Sequence, residues 1–97
     1  MPAEENEPHQ LPIEGELDLH TFRPQEAADV VEAFLEESIA HRWGEVRIIH
    51  GKGIGTLREL VHARLKKLPY VISFRLDNGA NGSWGATWVT LQKKKSR

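Results

Sequence analysis

The 97-residue chain has no cysteine. Disulfide staples and cysteine-ligated zinc are therefore excluded, and a reducing compartment fits. It also lacks any apolar run near the ~18 residues that a membrane span needs, so no membrane partner is expected. The first ten residues, MPAEENEPHQ, carry Glu4, Glu5 and Glu7 and no hydrophobic stretch. A secretory leader has a basic start and an apolar middle; none is expected here, and the expected location is cytoplasmic. There is no internal repeat and no composition break that would divide the chain. At this length it is one domain's worth, able to bury about 60–65% of its unfolded surface.

The chain also lacks a strong net charge: the formal value is −1. Global charge thus gives no sign of a nucleic-acid binder, but its distribution is uneven. Residues 1–17 are acidic without Lys or Arg, and 24–40 carry Glu26, Asp29, Glu32, Glu36 and Glu37 without a base. Residues 46–76 carry Arg47, Lys52, Arg58, Arg64, Lys66, Lys67 and Arg75 against Glu59 alone. The tail adds Lys93, Lys94, Lys95 and Arg97. Such a half is either an anion-attracting face or an ordinary solvated helix surface.

What is present is a pattern of alternating and helical periods. Residues 1–12, polar with prolines, form a lead-in expected to be disordered. Ile13, Leu17 and Leu19 alternate with Glu14, Glu16 and Asp18, which predicts a half-buried first strand over 13–19. Pro24 suits the first turn of a helix, and Ala27, Val30, Val31, Phe34, Leu35 and Ile39 continue at helical spacing to about His41. Val46–His50 is a β-branched second strand. Thr56 followed by Glu59 reads as a capping box, placing a second helix near Leu57. Its buried stripe is Leu57, Val61, Leu65 and Leu68, and Pro69 stops it. Val71–Asp77 alternates again, with Ile72, Phe74 and Leu76 expected inward. Asn78–Gly85 is turn-rich, Ala86–Leu91 is the last strand, and 93–97 is a basic tail. Trp43 and Trp88 are expected to pack.

The predicted order is β-α-β-α-β-β, an α/β fold of the α+β two-layer kind. It has a four-stranded mixed sheet, with strands three and four as an antiparallel hairpin and both helices on one face. Strands one, two and three share a direction, so their C-terminal ends share one edge, where ligands of open α/β sheets bind. Strand one ends in Asp18-Leu19-His20, strand two in His50 and the loop Gly51-Lys52-Gly53-Ile54-Gly55, and strand three in Asp77 and the loop of Trp84. Glycines before a helix start let backbone approach a ligand, and free amides favour an anion. Lys52 adds a charge. The spacing is neither a Walker A loop nor a dinucleotide fingerprint.

His20 and His50 are candidates for a general acid and base near neutral pH. Asp18, on the same strand face as His20, would orient its imidazole or bind a metal. Trp84 would either stack on a base or cap the core. His62 shares a helix face with Arg58 and Lys66; that row would meet a phosphate backbone or be a solvated face, and the solvated face is the reading taken. His9 and His41 receive no role.

These segments, LDLH at 17–20, IIHGKGIGTLR at 48–58 and GSWGATWVTL at 82–91, together resemble the Smr (small MutS-related) domain, over about residues 13–92. The likeness is to the stand-alone bacterial type; no MutS ATPase or clamp segment is present in the sequence. The resemblance implies a fold like the C-terminal domain of the third bacterial translation initiation factor. It implies RNA or DNA as partner, with endonuclease activity in several members, and links some members to DNA repair and others to the ribosome. Its motifs map onto Leu17, Asp18, Leu19 and His20, onto His50, Gly51, Lys52 and Gly53, and onto Gly82 and Gly85. It departs at Thr21, where the family commonly has glycine.

The functional expectation is histidine acid–base cleavage of RNA or DNA phosphodiesters by Asp18, His20 and His50. Gly51, Lys52, Gly53, Gly55, Arg58, Trp84 and Gly85 would hold phosphate and base. No cofactor is expected, and Mg2+ or Mn2+ enters only as a stimulant. The alternative is a binding module that uses the same loop as a phosphate clamp.

Overall fold

The computed structural model describes residues 14–51, 55–77 and 85–92. The expectations for the lead-in, Ile13, Lys52, Gly53, Gly82, Trp84 and the basic tail lie outside those residues.

Pro24 has no N–H to leave unpaired, so it suits the first position of a helix, and α1 runs Pro24–Ala40. The backbone N–H of Arg23 just ahead of it donates to the Glu26 carboxylate at 3.2 Å. The helix turns Ala27, Val31 and Leu35 inward, fully buried, with Val30, Phe34 and Ile39 packed beside them. The second helix, α2 (Thr56–Lys67), buries Val61 and Leu65. It starts one residue earlier than expected and without the Thr56–Glu59 box. Gly55, with φ +94°, occupies the cap position, and the Glu59 N–H donates to the Gly55 carbonyl at 2.9 Å. A left-handed glycine turns the chain sharply enough to make Thr56 the first helical residue rather than the cap.

The strands are β1 (Gly15–Asp18), β2 (Glu45–Ile49), β3 (Val71–Leu76) and β4 (Ala86–Leu91). Their order across the sheet is β1-β2-β4-β3. The first two are parallel, while β4 runs antiparallel to both β2 and β3. The expected hairpin is therefore present, and β4 is inserted between β2 and β3. Because β4 reverses direction once on each side, β1, β2 and β3 still point the same way.

Period-two alternation fixes the two faces. Val46 and Ile48 of β2 stand opposite Val89 and Thr87 of β4, and with Leu91 these side chains meet α1 and α2 in one buried core. The other face carries Arg47 and Trp88. Trp88 lies between the guanidinium groups of Arg47 and Arg75, at 5.8 and 5.7 Å from its ring centre. Trp43 packs against the core from the end of α1.

One expectation fails at β3. Ile72 and Leu76 are 63% and 43% exposed, and Phe74 is half-buried against the core. The register slips between Val71 and Ser73, so Val71 faces Leu91 and Ser73 faces Thr90. A bulge of this kind takes one residue out of the alternation; here it is Ile72. Leu76 keeps its face but sits on an edge strand at the rim. Among the described residues no helix is long and apolar enough to cross a membrane.

Candidate active site

The C-terminal rim of the parallel strands is laced by backbone hydrogen bonds. The Leu19 N–H donates to the Ile49 carbonyl at 2.8 Å, and the N–H groups of His50 and Gly51 both donate to the Gly85 carbonyl at 2.8 and 2.9 Å. The Asp77 N–H donates to the Ala86 carbonyl at 2.8 Å. The ends of β1, β2 and β3 and the start of β4 thus form one continuous edge. Asp77 itself is buried, with its carboxylate 3.5 Å from the Arg47 guanidinium.

At the β1 end, one oxygen of Asp18 (Oδ1) accepts the His20 backbone N–H at 3.0 Å and lies 2.7 Å from His20 Nδ1. These two bonds, the backbone one foremost, hold the Asp18 carboxyl below the usual carboxylate range. An ionised Asp18 accepts the proton of Nδ1 and leaves Nε2 as the lone-pair nitrogen. The His20 side chain is 68% exposed, and among the described residues its Nε2 has no hydrogen-bond partner. Thr21 follows in a turn, where the Phe22 N–H donates to the Leu19 carbonyl at 2.9 Å. Among the described residues the one non-glycine with positive φ is Arg42. Thr21, where the resemblance leads one to expect glycine, therefore sits without backbone strain.

At the β2 end the environment is different. His50 is only 5% exposed. Its Nε2 lies 2.8 Å from Thr87 Oγ1, and the same oxygen lies 2.8 Å from Nε2 of His62. Nδ1 of His50 faces the Gly51 carbonyl at 3.4 Å. The His50 and His62 rings are 6.1 Å apart edge to face, and His62 packs on Phe74 at 4.8 Å. The solvated-face reading of His62 is therefore corrected: its ring is turned into the sheet, half-buried, onto a hydroxyl of β4. Neither His62 nor Thr87 stood out as a site residue in the sequence. The available signal was a hydroxyl at the inward position of β4 shared with Val89 and Leu91.

The left-handed φ of Gly51 (+90°) and Gly55 (+94°) frames the loop. The Arg58 guanidinium folds back over Gly55, 2.7 Å from where a Cβ would stand. Gly51, Gly55, Arg58 and Gly85 are thus brought to the His50 cluster, while Asp18 and His20 form a second cluster on the neighbouring strand. No hydrogen bond among the described residues joins the two side-chain clusters; the backbone pairing of Leu19 with Ile49 does. Nor does any group of three or more carboxylate or imidazole side chains among the described residues make a ready-made metal cage.

Burial is the main reason the His50 pKa lies below its usual value, opposed by the Gly51 carbonyl and aided by His62 and Arg58. Burial, Arg58 and Lys66 lower that of His62. Both imidazoles are held neutral in the fold but protonate more readily in the unfolded chain. Their contribution to stability is full above the unfolded value near 6.5 and is lost as pH falls through the lower folded values. Tm is expected to drop between pH 7.5 and 5, with a shallower drop in His62→Ala, measured by thermal denaturation; equal slopes would contradict it.

Residues 17–92 match the family model described as the Smr domain. Endonuclease MutS2 of Ruminiclostridium cellulolyticum is 42% identical over 77 residues, covering 79% of this chain and 10% of that protein. The chain thus spans about a tenth of such relatives' length. The Smr domain of Thermus thermophilus MutS2 superposes with a TM-score of 0.75 at 35% identity, over 79% of this chain and 96% of that one. YdaL, a stand-alone small MutS-related protein from Escherichia coli, gives 0.74 at 27% identity, over 80% and 64%.

Proposed function

This chain belongs to the Smr domain family, and on that footing we propose that residues 13–92 form a domain that binds nucleic acid and cleaves its phosphodiester bonds. Supporting it are the relatives' name, endonuclease, and above all the Asp18–His20 couple at 2.7 Å with an exposed Nε2. A carboxylate-oriented imidazole open to solvent is the arrangement of a general base. His20 removes the proton of the attacking oxygen, and Asp18 stabilises the imidazolium that results. His50, on the neighbouring strand end, gives a proton to the leaving oxygen. Gly51, Lys52, Gly53, Gly55, Arg58 and Gly85 hold the phosphate, whose developing charge such donors stabilise, and Trp84 stacks on a base. An acid–base pair suits RNA best, because RNA brings its own 2′-hydroxyl as nucleophile.

Purified protein incubated with labelled single-stranded RNA and with supercoiled plasmid, with and without EDTA, tests this. Cleavage of RNA that survives EDTA is expected, along with its loss in His20→Ala at unchanged RNA affinity. Cleavage retained in His20→Ala would sink the histidine mechanism. Binding without cleavage by the wild type would replace it with the phosphate clamp.

A further inference from the structure

Two imidazoles share one hydroxyl. Thr87 Oγ1 is 2.8 Å from Nε2 of both His50 and His62, yet a hydroxyl has a single proton to donate. With both rings neutral, one Nε2 must receive that proton and the other must carry its own toward Thr87. The third contact decides which. The Gly51 carbonyl, 3.4 Å from His50 Nδ1, can only accept, so the proton of His50 is on Nδ1. Its Nε2 then accepts the Thr87 hydroxyl, Thr87 accepts Nε2–H of His62, and His62 Nδ1 has the lone pair. Among the described residues that Nδ1 has no partner, and the His62 ring is half-exposed on α2.

We propose that His62 is a positioning residue for His50: through the Thr87 hydroxyl it fixes the His50 tautomer and connects that buried ring to solvent protons. This rests on the phosphodiester-cleaving role assigned to His50 above. Nδ1–H of His50 passes to the leaving oxygen. The Thr87 hydroxyl proton passes to His50 Nε2, the Nε2–H of His62 passes to Thr87, and His62 Nδ1 takes one proton from water. One proton leaves the chain and one enters. Both rings exchange tautomers, and neither ends charged. The same path run backwards resets the pair once Nδ1 of His50 regains a proton.

The surroundings explain why a relay is needed. His50 faces Arg58 and His62 of α2, Thr87 of β4 and the Gly51 carbonyl. His62 faces Arg58 and Lys66 of its own helix, Phe74 of β3 and Thr87. No carboxylate stands among these partners, so an imidazolium at either ring meets burial and positive charge. A proton that moves through without resting avoids that penalty.

The test is the pH profile of RNA cleavage in His62→Ala, Thr87→Val and Thr87→Ser, with imidazole nitrogen spectra of the substrate-free proteins. Without the relay, His50 must itself be protonated to act as an acid. His62→Ala and Thr87→Val should therefore lose about 10–100-fold at pH 7.5 and recover on acidification, while Thr87→Ser, with the same donor and acceptor, stays near wild type. A merely structural defect would lower the rate at every pH, and that result overturns the proposal, as does an unchanged profile in His62→Ala. If the wild type cleaves nothing, the cleavage reading falls, and the spectra still judge the positioning. Nδ1–H on His50 with Nε2–H on His62, changing together in Thr87→Val, supports it; Nε2–H on His50, or independent rings, overturns it.

Discussion

Gly85→Ala is expected to lower stability by about 2–4 kcal/mol, the largest effect of a single methyl group added at the described glycines of the site. A Cβ at Gly85 would stand 2.4 Å from the carbonyl carbon of Gly51 and 2.7 Å from its Cα and oxygen. All three atoms are backbone, so no rotamer change relieves the clash. Forced overpacking costs about 1–3 kcal/mol. Separating the two segments also weakens, without breaking, the bonds from the His50 and Gly51 N–H groups to the Gly85 carbonyl, by about 1 kcal/mol between them. For a domain of this size the sum corresponds to a Tm lower by about 10–25 °C. Gly51→Ala provides the contrast. Among the described residues nothing lies within 4 Å of its Cβ position, and the left-handed φ of +90° is what opposes the change, at about 1–2 kcal/mol. Urea denaturation of both variants measures the difference. A Gly85→Ala protein within about 0.5 kcal/mol of wild type, the usual range for a neutral surface change, would mean that the two loops do not meet as described.

The sequence disclosed this meeting place only in outline. Alternation and strand direction were enough to bring Asp18, His20 and His50 to one edge, because each ends a strand whose period can be read locally. They also placed the helices on one face and made β3 and β4 a hairpin. The partners of His50 were not legible, because the shared Thr87 lies 37 positions along the chain from His50 and 25 from His62. Helix periodicity put His62 with Arg58 and Lys66 and so suggested water. It could not register that one side of that row grazes β4. The bulge at Ile72 was hidden for a related reason: VISFRL alternates well enough on its own, and the slip arises from pairing with β4. At Thr56 a real helix start was recognised by the wrong device, since the left-handed Gly55 ends the loop and leaves the threonine inside the helix. Local pattern therefore pointed to the candidate site, while contacts across elements set the hydrogen bonds on which its proposed chemistry rests.

That chemistry makes its strongest claim at Asp18. Asp18→Asn is expected to reduce kcat for RNA cleavage by about 10²–10⁴ while leaving KM nearly unchanged, the span seen when an acid–base imidazole loses its orienting carboxylate. Asp18 Oδ1 serves both the backbone N–H and Nδ1 of His20, and those bonds keep the carboxyl ionised well into acid. The charge does two things: it selects the tautomer with Nε2 free to accept a proton, and it offsets the positive ring that forms. Asparagine has one acceptor and one donor group. If its oxygen keeps the backbone bond, its NH2 cannot replace the lost charge; if its NH2 turns toward Nδ1, it stabilises the tautomer that has no lone pair at Nε2. Steady-state kinetics at saturating RNA measures the loss, and a change under about threefold would remove Asp18 from the mechanism. The double variant Asp18→Asn/His20→Ala then separates orientation from any other role. If Asp18 acts only through His20, the double variant is no slower than His20→Ala alone, because residues that act as a unit do not add. A further loss in the double variant would assign the carboxylate an independent contact with the substrate or with a metal ion.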